Sequence, residues 1–349
     1  MTSAGGPSAS AVFPSVRFGR RWFNLLWTIP LVAVLLLAAF GIATYLRTLE
    51  PVQQFIAQYP GSVKTHAPQG FPWWLRWQHL LNAIFLIPIV RAGLQIWAGR
   101  PRAYWRKPGV PGRDWVRMQR AMPETGGWGM RDDAVGLPSL VGLPGKRLSS
   151  GLARWWHLGV TLLWVANGIL FYILLFATGQ WQRIVPTSLE VFPNALSGLL
   201  QYVSFDFPTT DSWVSYNSLQ LLTYFLTVFV AAPLAVLTGL MHSPTIAKRL
   251  ENRVFNAEVG KSVHLIVLGY FVVFAIVHVT LVLITGALVN LNHITLGTND
   301  GGWAGLVLFL VAVVVGGIAC ALLSPVTLRF PNAVQKAGAK LLGPISKLF

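Results

Sequence analysis

The chain contains few charged residues, and acidic residues are the scarcest of them. Of its 349 residues, 11% are charged, 54% are hydrophobic, and Asp and Glu together number 11. A soluble domain usually carries about 25% charged residues, so this composition indicates an integral membrane protein. The 27 Lys and Arg residues give a formal charge of +16. They lie between apolar runs, where membrane orientation explains them better than nucleic-acid binding does.

Cysteine is almost absent. The single residue, Cys320, lies within an apolar run. One cysteine excludes a disulfide framework, a thiolate zinc site and a Cys-ligated iron–sulfur cluster.

Six apolar stretches are long enough to cross a bilayer. We number them spans 1 to 6, at residues 25–46, 73–98, 153–177, 215–240, 262–289 and 303–324. Arg20-Arg21 before span 1 faintly resembles a twin-arginine export signal. The apolar region that follows is long for a signal peptide and has no clear cleavage site. We therefore expect span 1 to be retained as a transmembrane helix.

Basic residues are distributed unevenly among the connecting segments. Segment 99–152 carries ten Lys and Arg residues, and segment 241–261 and both termini add more. The alternate segments, 47–72, 178–214 and 290–302, together carry three. The positive-inside rule therefore predicts a multi-pass protein of the cell inner (plasma) membrane with both termini in the cytoplasm.

Span 5 carries two histidines, His264 and His278, fourteen residues apart. This spacing places both imidazoles on nearly the same helix face, about 21 Å apart along the axis. With the predicted orientation, span 2 places His79 near the outer face and span 3 places His157 near the inner face. The four residues therefore pair by depth, His79 with His278 and His157 with His264.

Histidine pairs at two depths favour two b-type haems, because neutral imidazole is a common metal ligand and ionisable residues within spans mark functional sites. Zinc fits less well, since each depth offers two histidines and no nearby cysteine or carboxylate. The alternative of a different class is a haem-free transporter or assembly factor in which the histidines relay protons. Such relays usually include Asp or Glu, and the six predicted spans contain neither.

A basic residue precedes three of the four candidate ligands by three positions. These residues are Arg76, Arg154 and Lys261. Residues three positions apart lie on the same side of a helix, so each basic residue lies on the same side as its histidine and one turn closer to the nearer membrane surface. We expect them to bind haem propionates through charge-assisted hydrogen bonds. The alternative is that they are ordinary cations that snorkel at helix ends.

The distribution of one, one, no and two histidines over spans 2 to 5 resembles a known family. It is similar to the di-haem cytochrome b subunits of membrane-bound nickel–iron hydrogenases, formate dehydrogenases and thiosulfate reductases, the bacterial cytochrome b561-like group. The matching residues are His79 with Ala92-Gly93, His157 with Asn167-Gly168, and His264 and His278 with Thr285-Gly286. The resemblance covers about residues 73–289. It implies an all-α integral membrane protein in which spans 2 to 5 form a four-helix di-haem bundle with the same two ligand pairs.

The resemblance also implies a function. Such a subunit transfers electrons between the quinone pool and a partner redox catalytic subunit that contains molybdopterin or iron–sulfur centres. The quinone site would adjoin the His79/His278 haem, with Arg76, His66 and segment 178–214 as candidates. The extra span 1 inverts the core relative to the family, which would place the partner in the cytoplasm. Segment 99–152 and the basic C-terminal tail are then candidate docking surfaces, and a solvated loop is the alternative for segment 99–152.

Three parts of the chain follow from these predictions. Residues 1–72 hold an N-terminal cytoplasmic segment, span 1 and an outer loop; residues 73–289 hold the di-haem core with loop 99–152; residues 290–349 hold span 6 and a basic tail. The remaining histidines, His66, His242 and His293, are expected to be solvated or to cap helices. The alternative for His66 and His293 is that they assist proton exchange at an outer quinone pocket. Besides quinone and the partner subunit, we expect contact with membrane lipid and none with nucleic acid.

Overall fold

The computed structural model of the chain describes residues 13–63, 65–106, 108–118, 121–138, 141, 150–208, 211–242 and 257–342. Six of its helices are long and apolar enough to span a membrane, which confirms the predicted all-α membrane fold. Their bounds are Leu25–Leu46, Trp73–Ala98, Gly151–Ala177, Ser218–Leu240, Ala257–Ile284 and Ala304–Leu322. Span 2 has its predicted bounds, whereas span 5 begins and ends five residues earlier than predicted.

We call the side of the membrane that carries segment 99–152 the inner side and the opposite side the outer side. Spans 2 and 3 pack along one another, and span 4 packs on span 5. At the outer end, Trp74 of span 2 and Leu175 of span 3 share a core with Ile184. Most side chains of spans 1 and 6 are exposed, as with Leu37 and Val315. Spans 2 to 5 therefore form the bundle core, and spans 1 and 6 lie at its periphery.

Span 4 contains a π-helical turn, Leu226–Ala231. Pro233 follows it, and a proline has no backbone N–H to continue the regular hydrogen-bond ladder. Tyr172 of span 3 donates its hydroxyl hydrogen to the carbonyl oxygen of Val228 within the turn. A neighbouring span therefore satisfies a carbonyl of the irregular turn, as the absence of water in a bilayer core requires.

A small antiparallel sheet lies at the inner side and was not predicted. Its strands are β1 (Ser15–Phe18), β2 (Arg21–Asn24), β3 (Arg102–Tyr104) and β4 (Asp114–Arg117), in the order β2-β1-β4-β3. Strands β1 and β2 precede span 1, and strands β3 and β4 belong to segment 99–152. The first part of that segment is therefore folded onto the N-terminal segment. Its later residues, 142–149, lie outside the described part of the chain.

A buried ion triad stabilises this sheet, which we call the inner cap. The Arg102 guanidinium donates Nε–H to Asp133 Oδ1 at 2.7 Å and Nη1–H to Asp114 Oδ2 at 2.6 Å, and all three side chains are buried. Removing one member of such a buried set typically costs about 3–5 kcal/mol, because the remaining charge is left uncompensated.

Three hydrogen bonds attach the inner cap to the start of span 5. Trp115 donates its Nε1–H to Ser262 Oγ at 2.8 Å, and Ser262 donates its hydroxyl to the Tyr104 carbonyl oxygen at 2.7 Å. Lys261 Nζ donates to the Arg100 carbonyl oxygen at 3.4 Å. The cap therefore lies against the helix turn that carries His264.

The outer segments, which were predicted as loops, contain three short helices: Glu50–Gln58, Val191–Val203 and Ala287–Thr295. Arg183 is buried among them and donates to the carbonyl oxygen of Gly70 at 2.6 Å and to that of Ser212. Its guanidinium lies over the Phe71 and Tyr216 rings, 4.9 and 4.6 Å from their centroids. Arg183 thus connects its own segment to residues 70–71 and 212–216. We call these connected outer segments and their short helices the outer layer.

Candidate functional site

The structure brings His79 of span 2 and His278 of span 5 together near the outer side. Their ring centroids are 6.1 Å apart and the rings are inclined by 56°. Phe274, one turn before His278, stacks on its ring at 5.4 Å and 7°. Tyr224 of span 4 makes an edge contact with the same ring at 6.0 Å. These aromatic contacts restrict the orientation of the His278 imidazole.

His157 of span 3 and His264 of span 5 form the second pair, near the inner side. Their ring centroids are 6.2 Å apart and the rings are inclined by 73°. His157 Nδ1 lies 2.9 Å from the backbone carbonyl oxygen of Ile89 on span 2. A carbonyl oxygen only accepts hydrogen bonds, so Nδ1 carries the proton and the Nε2 lone pair is free. Metal-bound histidines commonly have this arrangement, in which the second ring nitrogen donates to a carbonyl.

His264 is oriented in a similar way by a hydroxyl group. Its Nδ1 lies 2.9 Å from Thr238 Oγ1 of span 4, and that oxygen lies 2.6 Å from the Leu234 carbonyl oxygen. The single hydroxyl proton of Thr238 goes to the carbonyl, so its oxygen accepts from His264 Nδ1–H. The Nε2 atom of His264 is therefore also the unprotonated nitrogen.

Gly93 of span 2 gives the His157 ring the space that it occupies. A Cβ atom at position 93 would lie 3.2 Å from His157 Cε1 and 3.4 Å from Nδ1. The imidazole of His157 thus occupies the space that a side chain larger than that of glycine would need at position 93. Gly239 of span 4 is in ordinary contact distance of the His264 ring, with a Cβ at 3.6 Å from Cε1.

Both pairs have a spacing that fits one metal ion between two imidazoles. A metal-bound imidazole nitrogen lies about 2 Å from the metal, so two such nitrogens on opposite sides lie about 4 Å apart. Adding the distance from each nitrogen to its ring centre gives roughly 6 Å between ring centres. The observed separations are 6.1 and 6.2 Å. The donor set of each pair, two neutral imidazoles, suits haem iron.

A sequence model described as prokaryotic cytochrome b561 matches residues 70–297. The chain belongs to the prokaryotic cytochrome b561 family. The match includes spans 2 to 5 with all four histidines, and it excludes spans 1 and 6. Membership makes the chain a multi-pass membrane b-type cytochrome of electron transfer with haem iron as its cofactor, as the resemblance implied. Comparison with curated proteins and with solved structures finds no match.

The three basic residues predicted to bind propionates have different surroundings in this cytochrome. Arg76 donates through Nη1 to the Thr295 carbonyl oxygen at 3.1 Å, and its buried Nε has no hydrogen-bond partner among the described residues. A Cβ on Gly297 would lie 2.8 Å from its Cζ atom, so the guanidinium lies directly on that backbone. Arg154 is exposed, and Lys261 Nζ makes the long bond to the Arg100 carbonyl oxygen at 3.4 Å. These contacts leave donors on all three side chains that could bind a propionate.

A third histidine lies beside the inner pair and was expected to be solvated or to cap a helix. The His242 ring, two residues beyond span 4, is 6.1 Å from the His264 ring at 83°. Desolvation lowers the pKa of His242, and the nearby Lys261 and Arg154 cations lower it further. Ring spacing alone therefore does not select between His157 and His242 as the partner of His264. His157 is favoured because its Nδ1 is already bound to a carbonyl within the membrane span.

The expectation that His293 is solvated or caps a helix is wrong. Its ring is buried in the outer layer, with Nδ1 3.1 Å from Ser212 Oγ and Nε2 2.8 Å from Asn299 Oδ1. It also stacks on Phe71, with ring centroids 5.2 Å apart. Both ring nitrogens are hydrogen-bonded, so His293 acts as a structural residue. His66 is exposed, as expected.

A groove of about 380 Å³ opens at the outer side, near the start of span 2. Its lining includes Pro68, Phe71, Trp74, Thr178, Gln180 and Trp213. Gln180 is buried; its Nε2 donates to the Pro68 carbonyl oxygen at 3.3 Å, and its Oε1 has no hydrogen-bond partner among the described residues. Sequence reasoning placed a candidate in segment 178–214 but did not identify Gln180, because a lone glutamine beside a glycine has no distinguishing pattern.

Proposed function

We propose that this cytochrome carries two b-type haems and transfers electrons between the quinone pool and a redox catalytic subunit on the cytoplasmic side of the inner membrane. The observation that supports it most is the presence of two histidine pairs, each at a spacing that suits one metal and each at a different depth. Two centres in series would let electrons cross most of the bilayer. A bound b-type haem supplies reversible one-electron transfer at its iron.

Each residue of the site then has a defined task. His79 and His278 hold the outer haem, and His157 and His264 hold the inner one. The Ile89 carbonyl and the Thr238 hydroxyl keep the proton of the inner ligands on Nδ1. When Nδ1–H donates a hydrogen bond to such an acceptor, the metal-binding nitrogen Nε2 becomes more basic.

The cations complete the two haem sites. Arg76 would bind a propionate at the outer side, and Arg154 and Lys261 would bind propionates at the inner side. A charge-assisted bond of this kind is roughly twice as strong as a neutral one. The unpartnered Nε of Arg76 supports this role, because a buried donor without an acceptor is unfavourable.

The outer groove is the site that we propose for the quinone. It lies at the start of span 2, where its lining residue Trp74 precedes His79 by five positions, and its walls include the aromatic rings of Phe71, Trp74 and Trp213. The unpartnered Gln180 Oε1 would accept a hydrogen bond from a quinol hydroxyl. On oxidation a quinol releases two electrons and two protons, and the outer aqueous phase is the nearer destination for the protons.

The inner cap is the surface that we propose for the redox partner. Trp105 is exposed on it and stacks on Trp115 at 5.2 Å, and Trp115 is hydrogen-bonded to Ser262, two residues from His264. Arg106 and Arg113 are exposed nearby in sequence, while Asp114 is neutralised in the buried triad. The cap therefore suits a redox protein with an acidic docking surface.

Reduction of the purified protein by a short-chain quinol tests this function. We expect a reduced b-type band with quinol, smaller than the band produced by dithionite. Gln180→Leu should raise the quinol concentration for half-maximal rate without changing the dithionite spectrum. Gln182→Leu, two residues away in the chain and outside the groove lining, is the matched control.

Two outcomes would reject the proposal. A protein without a b-type band would be compatible with the alternative of a haem-free transporter or assembly factor that relays protons through its histidines. A dithionite-reducible protein that no quinol reduces, and whose reduced form no quinone reoxidises, would exclude the quinone pool as its electron donor or acceptor.

A further inference from the structure

The outer helix Val191–Val203 has its polar and apolar faces reversed relative to a helix on a soluble surface. Its polar residues Asn194, Ser197 and Gln201 are buried against the protein. Asn194 Oδ1 accepts from the Gly61 N–H at 3.0 Å, and Gln201 Nε2 donates to Ser197 Oγ at 3.1 Å. These residues recur at helical spacing and lie on one face.

The opposite face of the same helix is apolar and uncovered. Phe192, Leu196 and Leu199 follow one another at intervals of four and three residues and are 56%, 60% and 46% exposed. Such an array is unfavourable in water, because apolar side chains gain free energy by leaving it. A helix whose inward face is polar and whose outward face is apolar is adapted to an apolar exterior.

Contacts at the end of the helix locate this face relative to the membrane. Phe205, 65% exposed, makes an edge contact with Phe40 of span 1, with ring centroids 5.6 Å apart. Phe40 lies six residues before the end of span 1 at Leu46, which corresponds to about 9 Å of helix. Arg47 donates to Ser204 Oγ at 2.8 Å and pairs with Asp206. The end of the outer helix is thus held beside the apolar surface of span 1, below the outer end of that span.

The backbone conformation of Phe205 indicates that the position of the helix end beside span 1 is a specific feature of the fold and not incidental. Its φ is 58°, a left-handed conformation that bulky residues rarely adopt. The strained turn ends the helix and directs an exposed aromatic ring toward Phe40. A glycine would be the ordinary choice for this position if only the turn mattered.

We propose that the outer helix Val191–Val203 is an interfacial membrane helix whose Phe192, Leu196 and Leu199 face is embedded in the outer lipid leaflet. The occupant of that face is phospholipid, because Phe205 at the end of the same helix contacts Phe40 on the apolar surface of span 1. Interfacial helices bury their apolar face at the boundary between headgroups and acyl chains. The polar face binds segment 60–61 and the start of span 4, so the helix also joins peripheral span 1 to the bundle core.

Fluorescence quenching in vesicles tests this inference on the full-length haem protein. Leu196→Cys and Gln54→Cys are each made in a Cys320→Ala background and labelled with an environment-sensitive dye. Gln54 is the control because it is an exposed polar residue of another outer helix, Glu50–Gln58. The vesicles contain phosphatidylcholine with or without bromine atoms on the acyl chains, and iodide is the aqueous quencher.

We expect the dye at position 196 to be quenched several-fold more by brominated lipid than by iodide, and the dye at position 54 to show the reverse. Quenching at position 196 by iodide as strong as at position 54 would overturn the inference, since the face would then be in water. Protection from both quenchers would also overturn it, because protein would then cover the face. Leu199→Cys repeats the measurement if Leu196→Cys does not yield folded protein.

Discussion

His157 Nδ1 of span 3 lies 2.9 Å from the carbonyl oxygen of Ile89 on span 2. The hydrogen bond assigns the proton to Nδ1 and leaves Nε2 as the unprotonated nitrogen of a ring whose centroid lies 6.2 Å from that of His264. It also ties the inner candidate ligand to the backbone of the neighbouring span. Changes that disturb this contact should affect the inner haem and leave the outer haem unchanged.

Gly93→Ala is the smallest such change. The new methyl group would lie 3.2 Å from His157 Cε1, closer than most real contacts, so the ring must shift. We expect a loss of inner-haem occupancy or a shift of its midpoint potential, measured by redox titration that resolves both haems. Gly269→Ala of span 5 is the matched control, because a Cβ there meets nothing within 4 Å. An unaltered inner haem in Gly93→Ala would show that His157 does not depend on this contact.

Thr238→Val removes the hydroxyl that accepts from His264 Nδ1–H and keeps the shape of the side chain. The Nε2 atom should become a weaker donor to ferric iron, so the inner midpoint potential should rise. Loss of such partners typically weakens metal binding by about 10- to 100-fold. Thr223→Val is the control in the same span, since the Thr223 hydroxyl donates to its own helix at Leu219. Equal effects of the two substitutions would show that the Thr238 hydroxyl has no specific role in orienting His264.

The basic residues should act selectively. Arg154→Gln should perturb the potential or occupancy of the inner haem alone, and Arg76→Gln should perturb the outer haem alone. Arg76 also holds the Thr295 carbonyl, so its replacement should be checked for retained folding. Redox titration of both variants is the measurement. If each substitution shifts both haems equally, or neither, these residues are ordinary helix-end cations.

The orientation can be tested with a membrane-impermeant thiol reagent in intact cells. Glu124→Cys of segment 99–152 and Gln54→Cys of the outer layer are both exposed positions. In a Cys320→Ala background, we expect labelling at position 54 and none at position 124 until the cells are opened. The reverse pattern would contradict the positive-inside assignment and place the partner surface outside the cytoplasm.

The spans and the two histidine pairs could be predicted because both depend on strong, local signals. Long apolar runs define spans, and the fourteen-residue interval between His264 and His278 follows from helix geometry alone. The inner cap could not be predicted in this way. Its strands have three or four residues each, and β1 pairs with β4 across a sequence separation that contains spans 1 and 2.

Two further features depended on tertiary contacts that no local pattern reveals. His293 is buried because Ser212 and Asn299 each bind one of its nitrogens, and neither residue is marked as a partner by its sequence position. The outer helix Val191–Val203 is too short to be read as a span. From its sequence pattern, the polar face of this helix would ordinarily be expected to point outward and its apolar face toward the protein, which is the reverse of the structure.

The central claim is that two haems are held by two specific histidine pairs, and a pyridine haemochrome assay tests it most directly. We predict two haems per intact chain, one in His157→Ala and in His278→Ala, and none when both are replaced. His66→Ala and His242→Ala should retain two, although His242 lies as close to His264 as His157 does. An intact protein with one haem or none would contradict the account, and so would loss of a haem in His242→Ala together with its retention in His157→Ala.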